Sequence, residues 1–170
     1  SGATVSGTVT CTASAYTVAG VDVTTLTDGS VTVTVNQTDA VGNPATASNT
    51  VTKDTVNPTV TFTTTPVITS VNQAAYAVSG TCSENGRTVS VTIGGLPATA
   101  TCTTGAFTTT AISVASLAQG AVALAVSTTD AAGNSGSNTG ATSKDSAAPN
   151  LTLGTLAVIN NANRTSYGFT

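Results

Sequence analysis

The chain has 170 residues, enough for one or two domains; only 6% of them are charged, while 39% are hydrophobic. Seven acids against four bases give a net charge of -3, so no basic surface exists to neutralise a row of phosphates, and nucleic-acid binding is excluded. Thr, Ala, Val, Ser and Gly fill most positions, a strand-forming vocabulary that argues against helices, and no apolar run reaches the length of a membrane helix.

Taken from the N-terminus, the first clear element is Val31, Val33 and Val35 with Thr32 and Thr34 between them. The alternation gives one apolar and one hydroxylated face and predicts a half-buried strand. Thr38-Asp39-Ala40-Val41-Gly42-Asn43 follows and reads as a tight turn, because Gly42 and Asn43 tolerate positive φ and Asp39 accepts backbone hydrogen bonds. Lys53-Asp54-Thr55-Val56-Asn57-Pro58 then predicts a stiff junction, since Pro58 fixes its own φ and restricts the residue before it. Its Lys53-Asp54 pair, like Lys144-Asp145 further on, is expected to serve as solvated charge at a strand end.

From this point seven strands are predicted, over Pro58 to Thr64, Ala75 to Cys82, Thr88 to Ile93, Pro97 to Thr103, Ala106 to Val114, Ala121 to Thr129 and Ser135 to Lys144. Glu84, the single glutamate, sits in a Glu-Asn-Gly-Arg turn and is expected to make a weak solvated ion pair with Arg87 at a hairpin tip. Val122, Leu124 and Val126 repeat the apolar alternation. The segment 129–134 repeats the turn with Asp130, Gly133 and Asn134, and 144–149 repeats the junction ending in Pro149.

One ungapped shift of 91 residues relates these parts. It carries Cys11 to Cys102, Leu26 to Leu117, Asp39 to Asp130, Lys53 to Lys144, Pro58 to Pro149 and Tyr76 to Tyr167. Three repeats are then sampled: residues 1–58 as the C-terminal part of one, 59–149 as a complete one and 150–170 as the N-terminal part of a third. The chain opens inside a repeat and reads as a window cut from a longer polypeptide. Seven strands in about 90 residues fit an all-β, immunoglobulin-like, Greek-key sandwich.

The paired turn and Lys-Asp-x-x-x-Pro junction, each present twice at one period, resemble the bacterial immunoglobulin-like repeats of large surface adhesins and biofilm matrix proteins. The resemblance covers the whole chain and implies a string of domains outside the cell that holds a binding tip away from the surface or builds a matrix. It departs from the antibody pattern in having no Trp and no cysteine in the penultimate strand. Related repeats place calcium at domain boundaries, which makes Asp54 and Asp145 the metal candidates. Each junction offers one Asp beside a Lys, a weak set for an ion that takes six to eight oxygens.

Cys82 and Cys102 fall within one repeat and are expected to form a disulfide that closes about 20 residues and implies an oxidising compartment. The alternative is two buried thiols packed as small hydrophobes. Cys11 copies Cys102, so its partner is expected before Ser1.

His is absent, which removes the commonest general base and metal ligand, and no enzyme active site or cofactor is expected. The expected function is a stiff spacer or matrix element of an extracellular or cell-surface fibre, whose partners are neighbouring repeats of the same chain and like fibres. Two alternatives stand beside it. One is a glycan- or protein-binding module using the loops at one end. The other is a filament subunit assembled by strand complementation, in which 150–170 completes 1–58 of another chain; 12 residues of the period are then left unsupplied.

Overall fold

A computed structural model describes residues 3–12 and 14–169. Nine strands and no α-helix occur among them: β1 (Gly29–Thr38), β2 (Pro44–Lys53), β3 (Val60–Thr64), β4 (Ser79–Cys82), β5 (Thr88–Ile93), β6 (Leu96–Thr101), β7 (Ala106–Thr108), β8 (Gly120–Thr129) and β9 (Ser135–Lys144). None of the described residues forms a helix long and apolar enough to cross a membrane.

The seven strands β3 to β9 make a sandwich. A three-stranded sheet, β3-β4-β7, faces a four-stranded sheet, β6-β5-β8-β9, and every paired strand in both is antiparallel. The alternation seen in the sequence is the mechanism: Val89, Val91 and Ile93 of β5 and Val122, Leu124 and Val126 of β8 point inward, while the residues between them face solvent. They meet Val60, Tyr76, Val78 and Phe107 from the opposite side in one continuous core. Phe62 and Phe107 close it with an edge-to-face contact at 6.4 Å between ring centres.

Constant immunoglobulin domains set four strands against three by passing their fourth strand to the first sheet. Here the fourth strand of the sandwich, β6, stays beside β5. The cause is local: Gly94 and Gly95, with φ of 57° and 87°, form a two-residue hairpin that places Leu96 opposite Ile93, so the strands leave the turn already paired.

Two predicted strands are shorter than the sequence suggests. The runs 75–82 and 106–114 do pair along their length, but the ladder is interrupted where Thr109 Oγ1, rather than a main-chain carbonyl, accepts the Val78 N–H at 3.2 Å. Beyond that break, Tyr76 and Ile112 exchange two backbone hydrogen bonds as an isolated bridge.

β1 and β2 form a separate hairpin with ten paired positions. They lie 91 residues before β8 and β9 and share their register, Gly29 opposite Lys53 and Gly120 opposite Lys144. Their environments differ. Val33 is 52% exposed and its counterpart Leu124 only 2%, because β3, β4 and β7 cover β8 and no equivalent sheet covers β1 among the described residues.

Candidate functional site

The residues singled out by the sequence gather at the two ends of the sandwich, in the turn before β9 and in the segments that enter and leave it. In the turn, Asp130 Oδ1 accepts the N–H groups of Ala132, Gly133 and Asn134 at 2.8 to 2.9 Å, and Oδ2 accepts Asn134 Nδ2 at 2.8 Å. Asp39 does the same for Val41 and Asn43. Gly42 and Gly133, at φ of 96° and 98°, supply the left-handed position that lets the chain fold back onto the carboxylate.

These hydrogen bonds shape the titration of the turn. The Asn134 side-chain amide, aided by the three backbone N–H groups, holds the Asp130 carboxyl below its usual value of 3.8. A carboxyl depressed in the folded state stabilises the fold above the unfolded value, and that contribution disappears as pH falls through the lower, folded one. Acid titration followed by circular dichroism is therefore expected to show Asp130→Asn less stable than the wild type at neutral pH. The two proteins should converge below the carboxylate range, and a constant difference down to pH 2 would sink the assignment.

The turn also reaches the incoming chain. Asn134 Nδ2 donates to the Asp54 carbonyl at 3.1 Å, and Pro58 is buried against the start of β9. Gly136 permits that approach, since a Cβ there would lie 1.8 Å from the Pro58 carbonyl oxygen. Pro149, the repeated proline, is exposed.

The lysines depart from the expectation of solvated charge. Lys144 is 3% exposed, and its ammonium donates to the carbonyls of Val114, Ala115 and Leu117 at 3.2, 2.7 and 2.7 Å. Opposite residues of an antiparallel pair share a face, so Lys144 belongs to the inward row of Thr142 and Gly140, the row of Val122 and Leu124 on β8. That alternation was available in the sequence; what the side chain meets was not. Lys53 repeats the arrangement in part, donating to Leu26 O at 2.6 Å and pairing with Asp28 at 3.2 Å.

The outgoing segments are pinned in matching ways. Asp28 accepts the Thr55 backbone N–H at 3.0 Å, and 91 residues on Gln119 Oε1 accepts the Ser146 N–H at 3.0 Å.

Cys82 and Cys102 form a disulfide with their Cα atoms 6.0 Å apart, linking the end of β4 in one sheet to the residue after β6 in the other. Cys11 is free and exposed. Glu84 and Arg87 do not pair: the Glu84 carboxylate accepts Ser83 Oγ at 3.2 Å, and the turn is closed by the Arg87 N–H on the Glu84 carbonyl.

At each junction the acid folds back onto its own backbone. Asp54 and Asp145 are exposed, and each carboxylate accepts the N–H two residues on. No group of three or more His, Cys, Asp or Glu side chains converges among the described residues. The outer face of the four-stranded sheet holds a shallow depression lined by Ser90, Thr92, Ala125, Ser127, Ser137 and Thr139, which offers small hydroxyls without a charge or an aromatic ring.

No protein-family model and no curated protein matches the sequence. Solved structures do. A tetra-tandem repeat in the extending region of a large adhesion protein is 30% identical, over 81% of this chain and 37% of that one, with a TM-score of 0.48. A Ca2+-stabilized adhesin that helps an Antarctic bacterium reach out and bind ice is 28% identical, over 74% and 34%, with a TM-score of 0.42. A bacterial immunoglobulin-like domain from the M. primoryensis ice-binding adhesin is 30% identical over 52% of this chain and 96% of that one, with a TM-score of 0.37. The chain thus spans about a third of the first two and nearly all of the third. Resting on that 30% identity across almost an entire solved domain, the chain belongs to the bacterial immunoglobulin-like repeats of large adhesins.

Proposed function

We propose that this chain is a load-bearing spacer of an extracellular or cell-surface adhesin, with residues 1–58, 59–149 and 150–170 belonging to three successive copies of a 91-residue module. The observation that carries the reading is the pair of pinned exits. Thr55 is held by Asp28 and Ser146 by Gln119, each just after a lysine anchored on Leu26 O or Leu117 O. Two consecutive connections leave their strands under the same restraint, and no Gly/Ser linker follows either one. The buried Pro58 and the Asn134 contact restrain the same connection from the far side.

The Cys82–Cys102 disulfide supports an oxidising location outside the cytoplasm. The partners in this reading are adjacent modules of one polypeptide. Catalysis has no place in it, since the restrained groups are spent on holding backbone. Electron micrographs of the native protein are expected to show beads in line at constant spacing, with a narrow spread of angles between neighbours. A broad spread of angles, as in beads on a loose thread, would overturn the stiff-spacer reading.

A further inference from the structure

The four-stranded sheet has two edges, and they are closed differently. At β6 the edge meets Thr110, whose N–H and hydroxyl donate to Thr99 O at 3.0 and 3.4 Å. At β9 only the two ends are covered. Pro58 lies against Gly136, and Ile68 bonds Ser143 O and the Asp145 N–H. Those last two bonds fix which main-chain groups face outward. In a strand the N–H and C=O of one residue point to the same side and neighbours alternate, so 137, 139, 141 and 143 face the open edge while 138, 140 and 142 face β8. No main chain of another segment bonds the outward groups of Ser137, Thr139 and Ala141 among the described residues.

An open row of this kind is a template for another strand, and proteins ordinarily blunt it with lysine, proline or a bulge. The stretch Ser135–Ser143 carries no charge and no proline, and it pairs with β8 in unbroken register. What it has instead is Asn138. The Asn138 Oδ1 accepts the Thr139 N–H at 2.7 Å, which is the outward donor in the middle of the open stretch. Its inward-row neighbours on the strand are Gly136 and Gly140, which place no side chain beside it. The arrangement recurs 91 residues earlier, where Asn49 Oδ1 accepts the Thr50 N–H at 2.8 Å on β2, a strand with the β9 register. Asparagine is a poor strand former, and its side-chain bond to the backbone competes directly with a ladder bond.

We propose that Asn138 is an edge guard: it occupies the central outward donor of β9 and keeps the 137–141 edge from pairing with the same edge of a second copy of this chain. The excluded partner is a like chain because two such edges are uncharged and self-complementary when they meet antiparallel about a twofold axis. Asn49 has the same role on β2.

Sedimentation of the full 170-residue chain over a concentration series tests it. Asn138→Ala removes the acceptor at an exposed position and adds no apolar bulk. Self-association is expected to rise at least about fivefold over wild type, the weight of one released hydrogen bond. Hydrogen exchange locates the contact. In the variant, protection should grow with concentration at the Ser137, Thr139 and Ala141 amides and stay constant at those of residue 138 and Gly140, which already face β8. Adding Thr139→Pro removes the outward donor itself, at a position where an edge strand tolerates proline, and should restore wild-type behaviour.

An Asn138→Ala protein that associates no more than wild type overturns the guard. Association that persists after Thr139→Pro is added does so too, since it comes from another surface or from loosened packing. The spacer reading is judged separately, by the angles between beads in micrographs, because neither substitution touches the connections between modules.

Discussion

Replacing Lys144 with methionine is expected to lower the stability of the sandwich by about 3 kcal/mol, an effect far larger than that of an ordinary lysine at a strand end. The ammonium is buried and has no carboxylate within 4 Å among the described residues; its three partners are carbonyl oxygens. Methionine fills much of the same volume but donates nothing. The part-buried carbonyls of Ala115 and Leu117 would then each lose a hydrogen bond to a charged donor, worth roughly 1.5 kcal/mol apiece. Val114 O is less affected, because it also accepts the Leu117 N–H at 3.2 Å. Urea unfolding of wild type and Lys144→Met, compared by midpoint at equal slope, measures the loss. A difference under about 0.5 kcal/mol, the size of a plain surface substitution, would show that the clasp holds nothing.

Removing the disulfide is the second large effect. Cys82→Ala combined with Cys102→Ala is expected to cost about 3 kcal/mol, chiefly because the unfolded chain regains the freedom of a loop of about 20 residues. The folded core should change little in shape, as both cysteines are buried at the margin between the sheets. The discriminating control is a thiol reductant in the denaturation buffer. It should shift the wild-type midpoint down to that of the double variant and leave the variant unmoved. A double variant as stable as oxidised wild type would remove the disulfide from any account of how so few aromatic side chains sustain a sandwich.

The two effects act through different states, which makes them separable. Lys144 stabilises the folded chain by satisfying carbonyls of the 114–117 turn, and the disulfide raises the free energy of the unfolded chain. They lie in distinct contacts, so a protein carrying both changes should lose close to the sum.

Much of this was legible in the residues because it depends on neighbours in sequence. A period of two over Val89 to Ile93 and Val122 to Val126 marked strands and their inward faces. Asp130 with Gly133 and Asn134 marked a turn in which the hydrogen bonds to the Asp130 carboxylate close within five residues. Cys82 and Cys102 were paired by counting within one period, although the alternative of two free thiols could be closed only by the structure. The overlong strands at 75–82 and 106–114 failed for a local reason that periodicity does not encode, the Thr109 hydroxyl taking a main-chain role. The expected Glu84–Arg87 ion pair failed: two half-exposed charges at a hairpin tip gain little from meeting, and the Glu84 carboxylate accepts the Ser83 hydroxyl instead.

The sequence by itself determined the seven strands of the complete repeat, the inward face of Val122 to Val126 and the repeated turn, all of which arise from steric and hydrogen-bonding preferences acting over a few residues. Only the tertiary structure decided which sheet each strand joins, that Lys144 is buried on three carbonyls, that Pro58 is covered by β9, and that Leu124 is buried where Val33 is open. Each of those depends on a partner tens of residues away, and burial is a property of what covers a side chain as much as of the side chain itself.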